Sequence, residues 1–322
     1  MLKRLRRKGN RQGPTLHLAA FGKHPGWDDH IPDIGVDTDV LIALRRLLYV
    51  EGIGGNIDAG AWDGLEPDHC LASFHHAFAW MQDDRWILGR LWSSTDGKGR
   101  TSYPMIVCAE CRGMDFRATA PRVFDRLEQV EAACTTTESA ADVHSILDQA
   151  RNELRDATGG TTTSDVADEV RSPLAVLAGR AEMGRDAVGL IRLLYHMDRE
   201  NSDYRRSRMT GDDSSTTMTV GRSQPIRVPQ CADRTIDALT LWEGFLKQEF
   251  IDSAPRWVIC PLDRAWVDLL IGPVTTSQFF CMRVTPSEFP LTTDIPYQID
   301  DEFVERTRQL LATAGKPPSI VG

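Results

Sequence analysis

Phe74-His75-His76-Ala77-Phe78-Ala79-Trp80-Met81-Gln82-Asp83-Asp84-Arg85-Trp86-Ile87-Leu88-Gly89-Arg90-Leu91-Trp92-Ser93 is the stretch that decides the fold. Two runs rich in aromatic and aliphatic residues, Phe74 to Met81 and Trp86 to Ser93, flank the polar joint Gln82-Asp83-Asp84-Arg85. Runs of this kind joined by a short polar turn read as a β-hairpin. In the second run Trp86, Leu88, Arg90 and Trp92 alternate with Ile87, Gly89 and Leu91, so both faces carry apolar side chains. Strands covered on both faces belong inside a sheet flanked by helices. Trp86, Trp92 and Phe78 are therefore expected to be buried.

Working outward, Leu16 to Phe21 and Tyr103 to Cys108 read as further strands. Between them, Val40, Leu41, Leu44, Leu47 and Leu48 recur at helical spacing, with Asp37 or Thr38 placed to cap the helix. The run Glu51-Gly52-Ile53-Gly54-Gly55 is expected to stop it. Residues 15–115 thus form an α/β unit. Helical periodicity then dominates 116–198: Pro121 to Cys134, Ala140 to Ala157 and Pro173 to Tyr195, with a Gly/Thr-rich break from Asp156 to Ser164. Residues 199–229 are polar and read as a loop or linker. In 230–322 a helix at Thr235 to Phe250 precedes three expected strands, Trp257–Cys260, Ala265–Ile271 and Gln278–Val284, and a closing helix at Phe303 to Ala314. The expected fold is α/β: a mixed, largely antiparallel sheet flanked by helices, with a second, smaller α/β unit at the C-terminus.

Composition narrows the function classes. The 322 residues carry a formal net charge of −9, and the sequence pI is about 5.4, which argues against nucleic acid as the main ligand. No apolar run approaches the roughly 20 residues of a membrane helix. The start of the chain, 1–14, is basic without an apolar stretch, and reads as a disordered tail rather than a secretory signal. Seven scattered cysteines suit reduced thiols and a cytoplasmic setting.

Two loops concentrate the chemistry. Phe21-Gly22-Lys23-His24-Pro25-Gly26-Trp27-Asp28-Asp29-His30-Ile31 follows the first strand and holds five titratable side chains. His24, Asp28, Asp29 and His30 could ligate a metal and activate water for hydrolysis, although the spacing matches no zinc signature. The other use of such a loop is contact with a partner. Asp96-Gly97-Lys98-Gly99-Arg100 is the second loop. A phosphate cradle wants Gly-Lys-Ser or Gly-Lys-Thr and a following helix, whereas a strand follows here, so Asp96, Lys98 and Arg100 are expected to face outward for a charged protein contact. His75 and His76 are adjacent on a strand, point to opposite faces and cannot chelate together. Cys108-Ala109-Glu110-Cys111 is a lone CxxC leaving a strand and reads as structural.

The order of these elements resembles the TagF family of type VI secretion. Gly22, Lys23 and Pro25 match its Gly-Lys-x-Pro turn at the end of a strand. Asp96, Gly99 and Arg100, with Pro104, match its Asp-x-x-Gly-Arg-x-x-Pro run into a strand. Asp28-Asp29-His30 stands where Gly-Asp-Phe is usual, and three residues rather than two separate Arg100 from Pro104. The likeness covers residues 15–115. It implies a non-enzymatic, cofactor-free cytoplasmic regulator that represses secretion after translation through a forkhead-associated-domain protein or another secretion-system component. Lys23, His24, Asp28, Asp29, Asp96, Lys98 and Arg100 would then serve the partner, with Gly22, Pro25, Gly99 and Pro104 shaping the loops. No metal, nucleic acid or membrane span enters that reading.

Overall fold

The hairpin forms where the alternation places it: β2 (His75–Gln82) and β3 (Arg85–Ser93) pair antiparallel from His75↔Trp92 to Gln82↔Arg85. Asp83, at φ +52°, makes the tight reversal between them. Around this pair, a computed structural model describes residues 13–158, 172–183, 187–209, 225–249 and 255–314. β1 (Thr15–Gly22) and β4 (Pro104–Arg112) complete one side of the sheet. β5 (Ile226–Pro229), β6 (Arg256–Pro261) and β7 (Trp266–Ile271) complete the other. The spatial order is β1-β4-β3-β2-β6-β7-β5, and every pairing is antiparallel. The C-terminal α/β order is present, and its strands join the N-terminal ones through β2 and β6, so both units share one sheet.

Helices cover both faces, as strands apolar on both sides require. On one face lie α3 (Phe116–Cys134), α4 (Ala140–Thr158), α5 (Pro173–Ala178), α6 (Val188–Met209) and α7 (Thr235–Glu249), packed over Leu88, Trp92, Val107 and Val258. α8 (Asp301–Ala314) closes against α5 and α6. On the other face, α1 (Asp39–Leu44) runs into a π-helical stretch, Arg45–Gly54, and then α2 (Gly55–Asp58), over Phe21, Phe78, Ile106 and Ile259. Thr38 caps α1 by accepting the Leu41 N–H. Trp86, Trp92 and Phe78 are buried, as expected.

Three expectations change. The glycines at 52–55 do not stop the first helix, because all three keep right-handed helical backbone and serve close packing instead. A Cβ on Gly52 would lie 2.6 Å from the Phe279 ring, and one on Gly55 2.6 Å from Thr276 Cγ2. The segment pressing on them is the second change. Thr276–Arg283 is a 3₁₀ helix rather than a strand, started by a capping box in which Gln278 Oε1 accepts the Thr275 N–H at 2.7 Å. Third, the expected linker 199–229 contains structure at both ends, since α6 continues to Met209 and β5 occupies Ile226–Pro229. The middle, 210–224, lies outside the described residues, as do 1–12 of the expected tail.

Both sheet edges are covered. The outer side of β1 takes the segment 31–37, through paired backbone bonds between Ala20 and Ile34 and a Gly35 that packs on the Leu18 carbonyl. Beside β5, the Thr292 N–H donates to the Arg227 carbonyl at 2.7 Å.

Candidate functional site

The two motif loops leave the same end of the sheet, because β1 and β4 are paired neighbours running in opposite directions. Gly22 ends β1 at φ +110°, opposite Met105. Its missing side chain matters twice: the backbone angle is one that other residues rarely adopt, and a Cβ would collide with the Pro104 carbonyl. Pro104 opens β4, where its lack of an N–H is harmless, and its carbonyl accepts the Lys23 N–H at 3.1 Å. The backbone thus turns Lys23 under the second loop.

There Lys23 Nζ meets Asp96 Oδ2 at 2.8 Å, with both side chains buried. Arg100 Nε reaches the same oxygen at 2.7 Å. Asp96 Oδ1 accepts the backbone N–H groups of Lys98 and Arg100, each at 3.0 Å. Burial by itself would raise the Asp96 pKa. The Lys23 ammonium, the Arg100 N–H and guanidinium and the Lys98 N–H reverse that and hold the carboxyl well below the usual carboxylate range. Gly99, at φ +78°, closes the loop under the Asp96 carbonyl, and its α-carbon faces open space.

The rest of the first loop divides between interior and surface. His24 is buried: Nδ1 accepts the Gly26 N–H at 3.0 Å and Nε2 meets the Cys134 carbonyl at 3.0 Å. Pro25 and Gly26 occupy the middle of a turn closed by the Trp27 N–H on the His24 carbonyl. Asp28 and Asp29 are exposed. Arg100 Nη2 ties them back, donating to the Asp28 carbonyl at 3.0 Å and meeting Asp29 Oδ1 at 3.1 Å. His30 stands against Tyr49 and Tyr103, with Nδ1 2.7 Å from the Tyr49 hydroxyl. Burial lowers its pKa; Asp29 opposes this, while Lys23, Arg100 and Arg45 add to it.

The expected contact residues therefore separate. Lys98, Arg100, Asp28 and Asp29 line an exposed rim, whereas Lys23, His24 and Asp96 lie beneath it and cannot touch a partner as the loops stand. The physical reason is that a short loop with two backbone reversals leaves its own N–H groups to satisfy, and Asp96 turns inward to do so. The metal reading loses its geometry as well. His24 is committed to helix α3 and His30 to Tyr49, and among the described residues no three His, Cys, Asp or Glu side chains could hold a metal ion.

Tyr49 and Tyr103 were missed in the sequence. Tyr103 sits between Arg100 and Pro104 of the second motif, and that position is the signal that could have found it. His75 is half-exposed and faces Glu131 of α3 at 3.2 Å, which in turn holds buried Arg90 at 2.5 Å. His76 is buried on the opposite face, its pKa pushed down to about 3, mainly by burial. Cys108 and Cys111 also point to opposite faces, and burial pushes both thiols up, so the CxxC is inert as a redox pair. No helix among the described residues is long and apolar enough to cross a membrane. Comparison of the chain with protein-family models and with curated proteins yields no match.

Proposed function

We propose that this protein is a TagF-like regulator of type VI secretion. It acts in the cytoplasm after translation, by protein contact rather than catalysis. One observation carries the reading: the two motifs behind the resemblance, over seventy residues apart, meet in one ion network, Lys23–Asp96–Arg100. Gly22 and Pro104 fit together by backbone contact beside it. Residues that a family pattern names for no evident local reason are here given a common purpose. They build a rigid platform that displays Asp28, Asp29, Lys98 and Arg100. Such a rim suits a partner surface of mixed charge, and a forkhead-associated-domain protein of the secretion apparatus is the partner the resemblance implies.

The test is co-purification from a native lysate, with the forkhead-associated-domain protein expected among the captured species and secretion de-repressed when the gene is deleted. Capture of no secretion-system component, together with unchanged secretion in the deletion strain, overturns the proposal.

A further inference from the structure

His24 was expected at the contact surface, yet it is 1% exposed and reaches no solvent. Its two nitrogens are both engaged, and their partners fix its chemistry. A carbonyl only accepts, so Nε2 donates to the Cys134 oxygen. The Gly26 N–H only donates, so Nδ1 accepts. The ring is therefore neutral, with its hydrogen on Nε2. An imidazolium would set an Nδ1–H against the Gly26 N–H at 3.0 Å, and the other neutral tautomer would lose both bonds.

The position of those partners gives the arrangement a use. Cys134 is the last residue of α3, and its carbonyl is one of the four that a helix leaves without an internal partner. Gly26 lies against the start of α4, where a Cβ would come within 2.6 Å of the Ala140 backbone nitrogen. The turn 24–27 is thus seated in the elbow between α3 and α4. Trp27 closes the seat, edge-on to His24 at 5.7 Å and to His144 of α4 at 5.9 Å. Asp28 and Asp29 follow directly from this turn.

We propose that His24 is a positioning residue: a latch that fixes the exposed Asp28–Asp29 segment to the α3–α4 elbow and works only as the Nε2–H tautomer. Its effect on partner binding rests on the reading of that segment as a contact surface; the latch itself does not.

The wild-type protein labelled with ¹⁵N-histidine tests the tautomer. At neutral pH the His24 Nδ1 resonance is expected in the unprotonated range and Nε2 in the protonated range. A protonated Nδ1 overturns the latch. The variants His24→Phe and His24→Asn test the coupling. Phenylalanine keeps the ring against Trp27 and removes both hydrogen bonds. Asparagine keeps an acceptor that can reach the N–H two residues on. Gly26 amide exchange is expected to accelerate about tenfold or more in H24F and to return toward wild type in H24N. Equal Gly26 exchange in wild type and H24F overturns the proposal. Should H24F fail to fold, the H24N exchange and the wild-type spectrum still decide it. Partner binding, measured alongside, should weaken in H24F although no exposed side chain has changed. Accelerated exchange with unaltered binding keeps the latch and removes the contact reading of the loop.

Discussion

Two of the buried ion pairs, one at the motif loops and one in the C-terminal part of the chain, solve the same problem in opposite ways. At the motif loops Asp96 receives two cations and two backbone N–H groups, and one of its cations, Arg100, is half exposed. In the C-terminal part Arg227 is fully buried and grips Asp268 with two bonds, at 2.7 and 2.8 Å. Its remaining N–H groups donate to the carbonyls of Val284, Phe289 and Cys281, and its faces meet the rings of Trp266 and Phe289 at 4.9 and 5.0 Å. The carboxyl pKa values move in opposite directions. Asp96 lies below the ordinary range, while burial raises Asp268 despite its arginine. At Asp96 the gathered donors outweigh burial, whereas at Asp268, which lies deeper, burial outweighs the arginine. The first pair shapes a surface; the second only staples the segment 281–289 to β5 and β7.

Removing the staple gives the largest expected effect. Arg227→Met leaves Asp268 buried without its cation and takes from the Val284 and Phe289 carbonyls the guanidinium donor they have here, so a loss of about 3–5 kcal/mol is expected in urea unfolding. Adding Asp268→Leu should recover only part of it, because the carbonyls still lack that donor. Full recovery would show that the ion pair alone matters and that the carbonyl contacts add nothing.

A smaller loss is expected from Gly52→Ala, which drives a methyl into Phe279 of the 3₁₀ helix that leads into the stapled segment. Overpacking of this kind costs about 1–3 kcal/mol, and an unchanged thermal midpoint would mean that the segment yields and is less firmly held than Arg227 suggests.

The opposite pKa directions predict opposite pH slopes. Asp96 contributes stability above the unfolded carboxylate value, about pH 4, and loses it as pH falls through its lower folded value. Asp268 binds its proton more tightly in the fold, so its contribution weakens as pH rises from about 4 through its folded value. Urea midpoints measured across acid pH should show the acid-labile part reduced in Asp96→Asn, and the alkaline-side decline reduced in Asp268→Asn. Parallel changes in both variants would break the contrast. The smallest structural effect belongs to the rim. Asp28→Ala with Asp29→Ala should shift stability by no more than about 0.5 kcal/mol, since exposed pairs add little, while weakening capture of the partner proposed above. A variant that unfolds would place these carboxylates in the frame.

The hairpin and the capped first helix were legible because each depends on local patterns: alternation and a Thr38 cap. Outward-facing Lys23 and Asp96 were misread, since a charged residue in a loop looks the same whether it faces water or its own backbone. The staple was not legible at all. Arg227 lies in a polar run and Asp268 interrupts an apolar strand, and nothing nearby in sequence links them. Gly52 and Gly55 were read as a helix stop because their true constraint, the 3₁₀ helix at 276–283, is over two hundred residues away. Local signals showed where elements begin; only the assembled sheet showed what they press against.

The junction of β2 with β6 sets a timetable for synthesis. By residue 112 the ribosome has delivered β1 to β4, a four-strand sheet whose inner edge, β2, has nothing beside it. Trp80, which will stack on Trp257 at 4.8 Å, must wait while synthesis advances from residue 112 to residue 257. The entropic penalty of so long a closure grows only slowly with length, but the wait leaves an apolar strand edge bare. The nascent half-sheet is therefore the stage at which this chain is most exposed to mispairing, and the one a chaperone would have most reason to cover.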